Sequence, residues 1–205
     1  MSTPAETWNS RYAAEGFKTP VRPAAFLLEV LPFLPHPTSR SCALDLACGI
    51  GHNAVELALR GWRTVAVDVS TAALDRAEAL ANSRGAPCHR DRGEIHGAKD
   101  GLLLLEADLE HLALPAASFD LVLCFRYLQR SLFPAIERAL RPGGVLVIET
   151  FTTAQLAFDN GPRSPEHLLR PGELRESFPG LEVLFYREWT AEQGLASLLA
   201  RKPQK

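Results

Sequence analysis

Apolar residues recur along this chain in two patterns that take turns. Short continuous runs rich in Val, Leu, Ala and Ile alternate with longer stretches whose apolar positions fall three and four residues apart. The first pattern marks buried strands and the second amphipathic helices. Strand-like runs lie at 43–47, at 64–67 closing on Asp68, and at 102–106, 119–125, 145–150, 182–187 and 195–200. Helical spacing covers 22–34, 53–60, 71–81, 128–140 and a piece near 171–178. Pro35-His36-Pro37 ends the first helix, since proline cannot continue one. Gly61 follows the second helix as a C-cap, and Ser70 precedes the third as an N-cap. Residues 1–20 read as an N-terminal arm, with Trp8, Arg11, Tyr12 and Phe17 among polar neighbours, and 82–100 as a mobile polar loop. Strands alternating with helices predict an α/β protein of three layers, a mostly parallel sheet with helices on both faces.

Composition narrows the class further. With 205 residues, 46% hydrophobic and 22% charged, the chain has material for one good core, and a single domain is expected. Its parts would be an arm and helix over 1–37, a ligand-binding core over 38–150, and a closing segment over 151–205. A net charge of -2 gives no electrostatic case for nucleic acid or an anionic membrane. The first residues lack the basic-then-apolar plan of a signal peptide, and no apolar stretch is long enough to span a bilayer. Cys42, Cys48, Cys88 and Cys124 form no CxxC pair and read as reduced thiols of a cytoplasmic protein. Cys88, His89 and His96 match no ligand spacing, so no metal is expected. A monomer or weak dimer is expected.

The chemistry concentrates at strand ends. Residues 42–61 read CALDLACGIGHNAVELALRG: an apolar run, a Gly49-Ile50-Gly51 turn and an amphipathic helix. Such a turn lets backbone approach a ligand and presents the unpaired N–H groups of a helix start. Asp45 is the odd member, a carboxylate inside an apolar strand, costly to bury without a partner. Asp68 lies about 20 residues beyond the first glycine, where a carboxylate can accept ribose hydroxyls. Asp108 follows the next strand, where it could accept from the exocyclic amine of adenine. The glycines alone also suit a nicotinamide dehydrogenase. Asp45 argues otherwise, because it would repel a pyrophosphate and attract an amino group.

These residues resemble the class I S-adenosylmethionine-dependent methyltransferases. Leu44 to Gly51 is similar to the family's first motif, Val67-Asp68-Val69-Ser70 to its ribose motif, and Glu106-Ala107-Asp108-Leu109 to its adenine motif. Phe119-Asp120-Leu121-Val122 and Leu140-Arg141-Pro142-Gly143-Gly144 resemble the motifs around strands four and five. The resemblance implies a Rossmann-like sheet of seven strands in the order 3-2-1-4-5-7-6, the seventh antiparallel. Gly51-His52-Asn53-Ala54, Trp8-x-x-Arg11-Tyr12 and the ending Ala196 to Lys202 look closest to the small tellurite-resistance and thiopurine methyltransferases. His52 departs from that subgroup, standing where arginine is common.

The resemblance implies S-adenosyl-L-methionine as cofactor. Its candidate contacts are Trp8, Arg11, Asp45, Ala47, Gly49, Gly51, Asn53, Asp68, Val69, Ala107, Asp108, Leu109 and Phe125. The implied reaction is methyl transfer to a small molecule, such as a thiol, a chalcogen oxyanion or another small anion. Arg126, Tyr127 and Glu149 are the acceptor-side candidates, with no residue assigned as catalytic base. Arg126, Arg130, Arg163 and Arg170 could form a cationic rim. A non-catalytic nucleoside-binding protein is the rival reading.

Overall fold

The structure is a computed structural model, described here for residues 3–14, 22–93, 95 and 100–204. The chain divides into two compact units, Met1–Leu114 and Pro115–Lys205.

The first unit carries helices α1 (Pro4–Ala13), α2 (Ala25–Val30), α3 (His52–Leu59) and α4 (Thr71–Ser83). Its strands are β1 (Cys42–Leu46), β2 (Arg63–Asp68), β3 (Cys88–Arg92) and β4 (Leu102–Glu106), side by side in the order β3-β4-β2-β1. All three pairings are parallel, so every strand ends at the same edge. β1 and β4 are apolar runs because both faces are covered. Ala54 and Val55 of α3 and Leu74, Ala77 and Ala81 of α4 pack with Ala66, Leu102 and Leu104 in one buried cluster.

Three local features depart from the sequence reading. The arm is a helix, α1, opened by a capping box in which the Thr3 and Glu6 side chains bond each other's backbone N–H. The expected helix over 22–34 is short: Pro32 turns its end into a 3-10 turn, Leu31–Phe33. The polar stretch 82–100 holds β3, an additional edge strand pairing with β4 from Cys88↔Leu102 to Arg92↔Glu106. Its Cys-His-Arg-Asp-Arg sequence lacks apolar alternation because the strand is partly exposed. His96 lies outside the described residues.

The second unit carries β5 (Phe119–Phe125), α5 (Phe133–Ala139), β6 (Leu140–Phe151), α6 (Glu173–Glu176), β7 (Glu182–Trp189) and β8 (Leu195–Arg201). The strand order is β5-β6-β8-β7; β5 and β6 run parallel, and β8 runs antiparallel to both neighbours. The two orders reproduce 3-2-1 and 4-5-7-6, each within its own unit, with β3 added outside the first. The fold class is therefore the Rossmann-like α/β arrangement the sequence implied, with eight strands rather than seven among the described residues. β6 begins earlier than expected, because Arg141 to Gly144 form an irregularity inside the strand rather than a turn before it. The helix expected over 128–140 starts late, behind a 3-10 turn at Arg130–Leu132.

Candidate functional site

β1 runs into the glycine turn with its last residues buried, and the turn bends sharply. Ala47, Gly49 and Gly51 all have left-handed φ, +54°, +55° and +75°. Gly51 has a further reason to be glycine: a Cβ there would lie 2.9 Å from Ala77 Cβ, so α3 and α4 could not pack as closely. Cys48 N–H donates to Val67 C=O at 2.9 Å, tying the turn to β2.

Asp68, the last residue of β2, braces the same turn. Its Oδ2 accepts from Gly49 N–H at 2.8 Å and its Oδ1 from Ser70 N–H at 2.9 Å. Burial raises its pKa, and bonds from the Ser70, Gly49 and Val69 amides oppose the rise. Asp45 is 1% exposed, and its Oδ2 has no hydrogen-bond partner. Burial above all, then the charge of Asp68, pushes its pKa up to about 8, against a backbone bond from Ala54. Burial and the same carboxylates raise the Cys48 thiol. Four acidic groups thus crowd this turn: Asp45, Asp68, Cys48 and Tyr12.

The N-terminal helix lies against this cluster. A side chain at Gly49 would meet the Tyr12 hydroxyl at 2.7 Å, so that hydroxyl sits over the turn. Burial raises the Tyr12 pKa, helped by the charge of Asp68. Asn9 Oδ1 accepts from Ser70 Oγ at 2.8 Å and from Ala72 N–H at 3.1 Å, capping α4 from outside. Asn9 did not stand among the expected contacts, whereas Tyr12 belonged to the Trp8-x-x-Arg11-Tyr12 run singled out in the arm. The capping box and the three-residue spacing of Asn9 and Tyr12 were the available signal. Trp8 and Arg11, which were expected, stack on each other at 4.9 Å; Arg11 is exposed.

The remaining candidates divide. Val69 is half-buried just beyond β2, as are Ala107 and Asp108 beyond β4, and Leu109 is buried. Ala107 N–H donates to Asp68 C=O at 3.1 Å, which brings these two strand ends together. Asp108 Oδ1 accepts from Glu110 N–H at 2.9 Å, a local turn contact. Ligand atoms of Asp108, Glu110 and His111 lie within 4.8 Å of one another, but that exposed turn explains the grouping. Asn53 Oδ1 accepts from Ala24 N–H at 2.8 Å and anchors the start of α2.

In the second unit, Phe125 is buried at the end of β5, opposite Glu149 in the register with β6. Arg126 follows with a left-handed φ of +59°. Its guanidinium lies 3.4 Å from Glu149 Oε1 and 4.9 Å over the Phe151 ring. Glu149 Oε2 accepts from Ser197 Oγ at 2.7 Å. Tyr127 donates its hydroxyl to Gln129 Oε1 at 2.6 Å. The expected cationic rim is otherwise engaged in structure. Arg130 binds Glu173 at 2.5 Å and the Leu168 carbonyl at 2.9 Å; Arg163 binds the Phe158 carbonyl at 2.7 Å; Arg170 meets Glu173 at 3.4 Å.

A protein-family model described as "Methyltransferase domain" matches residues 44–148, from the middle of β1 almost to the end of β6. The chain belongs to this methyltransferase family. A hemagglutinin 1 of Eikenella corrodens is 30% identical over 182 residues, 78% of this chain. The chain spans about half, 54%, of that relative's length. Among solved structures, an S-adenosylmethionine-dependent methyltransferase of Mesorhizobium loti has TM-score 0.65 at 21% identity, covering 88% of this chain and 99% of its own. TehB of Haemophilus influenzae has TM-score 0.67 at 16% identity, covering 91% and 64%. These structural likenesses concern the methyltransferase fold.

Proposed function

We propose that this chain transfers a methyl group from S-adenosylmethionine to a small-molecule acceptor, as a cytoplasmic enzyme of the tellurite-resistance and thiopurine kind. The observation that carries the reading is Asp45, a buried carboxyl group whose second oxygen has no partner beside a glycine turn. A carboxyl kept dry and open suits a ligand bringing cationic N–H donors, because the cation favours the ionised form that burial alone opposes, whereas a pyrophosphate would oppose it further. The family match and the likeness to TehB support the same reading.

Asp45 receives the ligand's amino group. Asp68 offers the ribose its remaining acceptor capacity, while Gly49 and Gly51 leave room for close approach. Asp108, with Val69, Ala107 and Leu109, holds the adenine end. Tyr12 and Asn9 keep α1 closed over the turn, with Trp8 and Arg11 on the same helix. Phe125 serves the methionine end of the cofactor, and Arg126, Tyr127 and Glu149 serve the acceptor. Bound S-adenosylmethionine supplies a methyl group already activated by the sulfonium charge. What remains for the protein is to align the two reactants and exclude water, which needs no obligatory base.

Calorimetric titration with S-adenosylhomocysteine tests this reading: we expect saturable binding, and no heat at high micromolar ligand would sink it. Transfer of a labelled methyl group to a panel of thiols, selenium and tellurium oxyanions and small carboxylates identifies the acceptor. A chain that binds the nucleoside and methylates nothing would be the non-catalytic binding protein.

A further inference from the structure

We propose that Arg126 recognises a carboxylate, or a similarly planar oxyanion, on the small molecule that this protein methylates; the inference rests on the methyl-transfer reading above. Three observations within the second unit carry it. Arg126 stands at the carboxyl end of β5, the end at which open α/β sheets bind ligands. It has φ +59°, a left-handed conformation that glycine adopts freely and an arginine adopts only under strain. Such a conformation persists where the surrounding structure over-determines it, and conformations of this kind cluster at ligand sites.

The guanidinium is also held from behind. Arg126 N–H donates to the Glu149 carbonyl at 2.8 Å, fixing its backbone to β6. The Glu149 carboxylate, 6% exposed, meets one guanidinium nitrogen at 3.4 Å and is itself fixed by Ser197 Oγ at 2.7 Å. Phe151 supports the flat face of the cation at 4.9 Å. With these contacts made, 39% of the side chain still faces solvent. The other three arginines of the expected rim are bound to Glu173 or to backbone carbonyls.

Glu149 cancels the charge of Arg126, so attraction by net charge is weak. What the pair retains is geometry: a planar fork of N–H donors, clamped in orientation, that matches the two oxygens of a carboxylate. The competing role is a plain counter-ion to Glu149. Lysine would fill that role as well as arginine, and no ligand would notice the exchange.

The test uses the full chain, labelled with nitrogen-15 and saturated with S-adenosylhomocysteine, titrated with benzoate and with its neutral isostere benzamide. The Arg126 side-chain signal is assigned by its loss in Arg126→Gly. We expect benzoate to shift that signal saturably, and benzamide to bind about tenfold more weakly or not at all. Arg126→Lys should weaken benzoate by about tenfold while leaving affinity for S-adenosylhomocysteine where it was. Arg126→Gly, at ease with the left-handed backbone, supplies the same comparison should the lysine variant fold poorly. Unsaturable benzoate, equal binding of benzamide, or benzoate affinity unchanged in both variants would overturn the proposal. Failure of the wild type to bind S-adenosylhomocysteine would count against the methyl-transfer reading instead, and benzoate binding can be read without that ligand.

Discussion

Asp68 shows how a single side chain can hold a site and serve its ligand together. Both of its oxygens accept from backbone amides, those of Gly49 and Ser70. Asp68→Ala should therefore act twice. It leaves buried N–H groups without an acceptor, costing about 1–3 kcal/mol of stability, and removes ribose bonds, costing a similar amount of cofactor affinity. Denaturant melts measure the first and calorimetry the second; a folded variant with unchanged affinity would place the ribose elsewhere. At this scale the sequence was legible wherever chemistry stood out of place. Asp45 inside an apolar run, and glycines straight after it, needed no partner to be noticed. Asn9 and Asn53 were illegible for the opposite reason. Asn9 meets Ser70 across 61 residues, and Asn53 meets Ala24 across 29, so composition around either residue says nothing of its bond. Asn53 stood at the start of a helix and among the cofactor contacts, and its bond makes it an anchor for α2.

Elements were legible in proportion to how much of their pattern was local. α3 and α4 followed their apolar spacing and caps, whereas β3 did not. An edge strand of alternating charges carries no burial signal, and only pairing with β4 makes it a strand. Two predictions belong here. Gly51→Ala would set a Cβ 2.9 Å from Ala77 Cβ at φ +75°, pushing α3 off α4. We expect a loss of about 1–3 kcal/mol in a denaturant melt, with weakened cofactor binding; stability equal to wild type would show that the two helices do not constrain each other. The second concerns α1, which holds the start of α4 through Asn9. Asn9→Ala removes the acceptor for Ser70 Oγ and Ala72 N–H, and should cost about 1 kcal/mol. Limited proteolysis should then cut within α1 sooner than in the wild type. An unchanged cleavage rate would mean that other contacts hold the helix.

For the molecule as a whole, the α/β class was legible because the order of strands and helices is itself sequence information. What the acidic groups at the turn do to global stability was not, because it depends on their burial together. Asp45, Asp68, Cys48 and Tyr12 are each raised by burial, and Asp45 reaches about 8. An unfolded aspartate titrates near about 3.9. Between those two values the native protein keeps a proton on Asp45 that the unfolded chain has released. The unfolded state then binds fewer protons, so stability falls as pH rises through this window and levels off above it. Ordinary paired carboxylates have the opposite sign: Glu173, lowered to about 2 by Arg130, stabilises above its unfolded pKa and loses that contribution as pH falls. Subtracting the melting profile of Asp45→Asn from that of the wild type removes the Glu173 part. We expect the difference, wild type minus variant, to become steadily more negative from about pH 5 to about pH 8. S-adenosylhomocysteine should reduce that slope in the wild type, because its ammonium gives the ionised Asp45 a partner and its binding favours the native state. A difference independent of pH would mean that Asp45 is ionised throughout and already has its partner, and the cationic ligand would lose its main support.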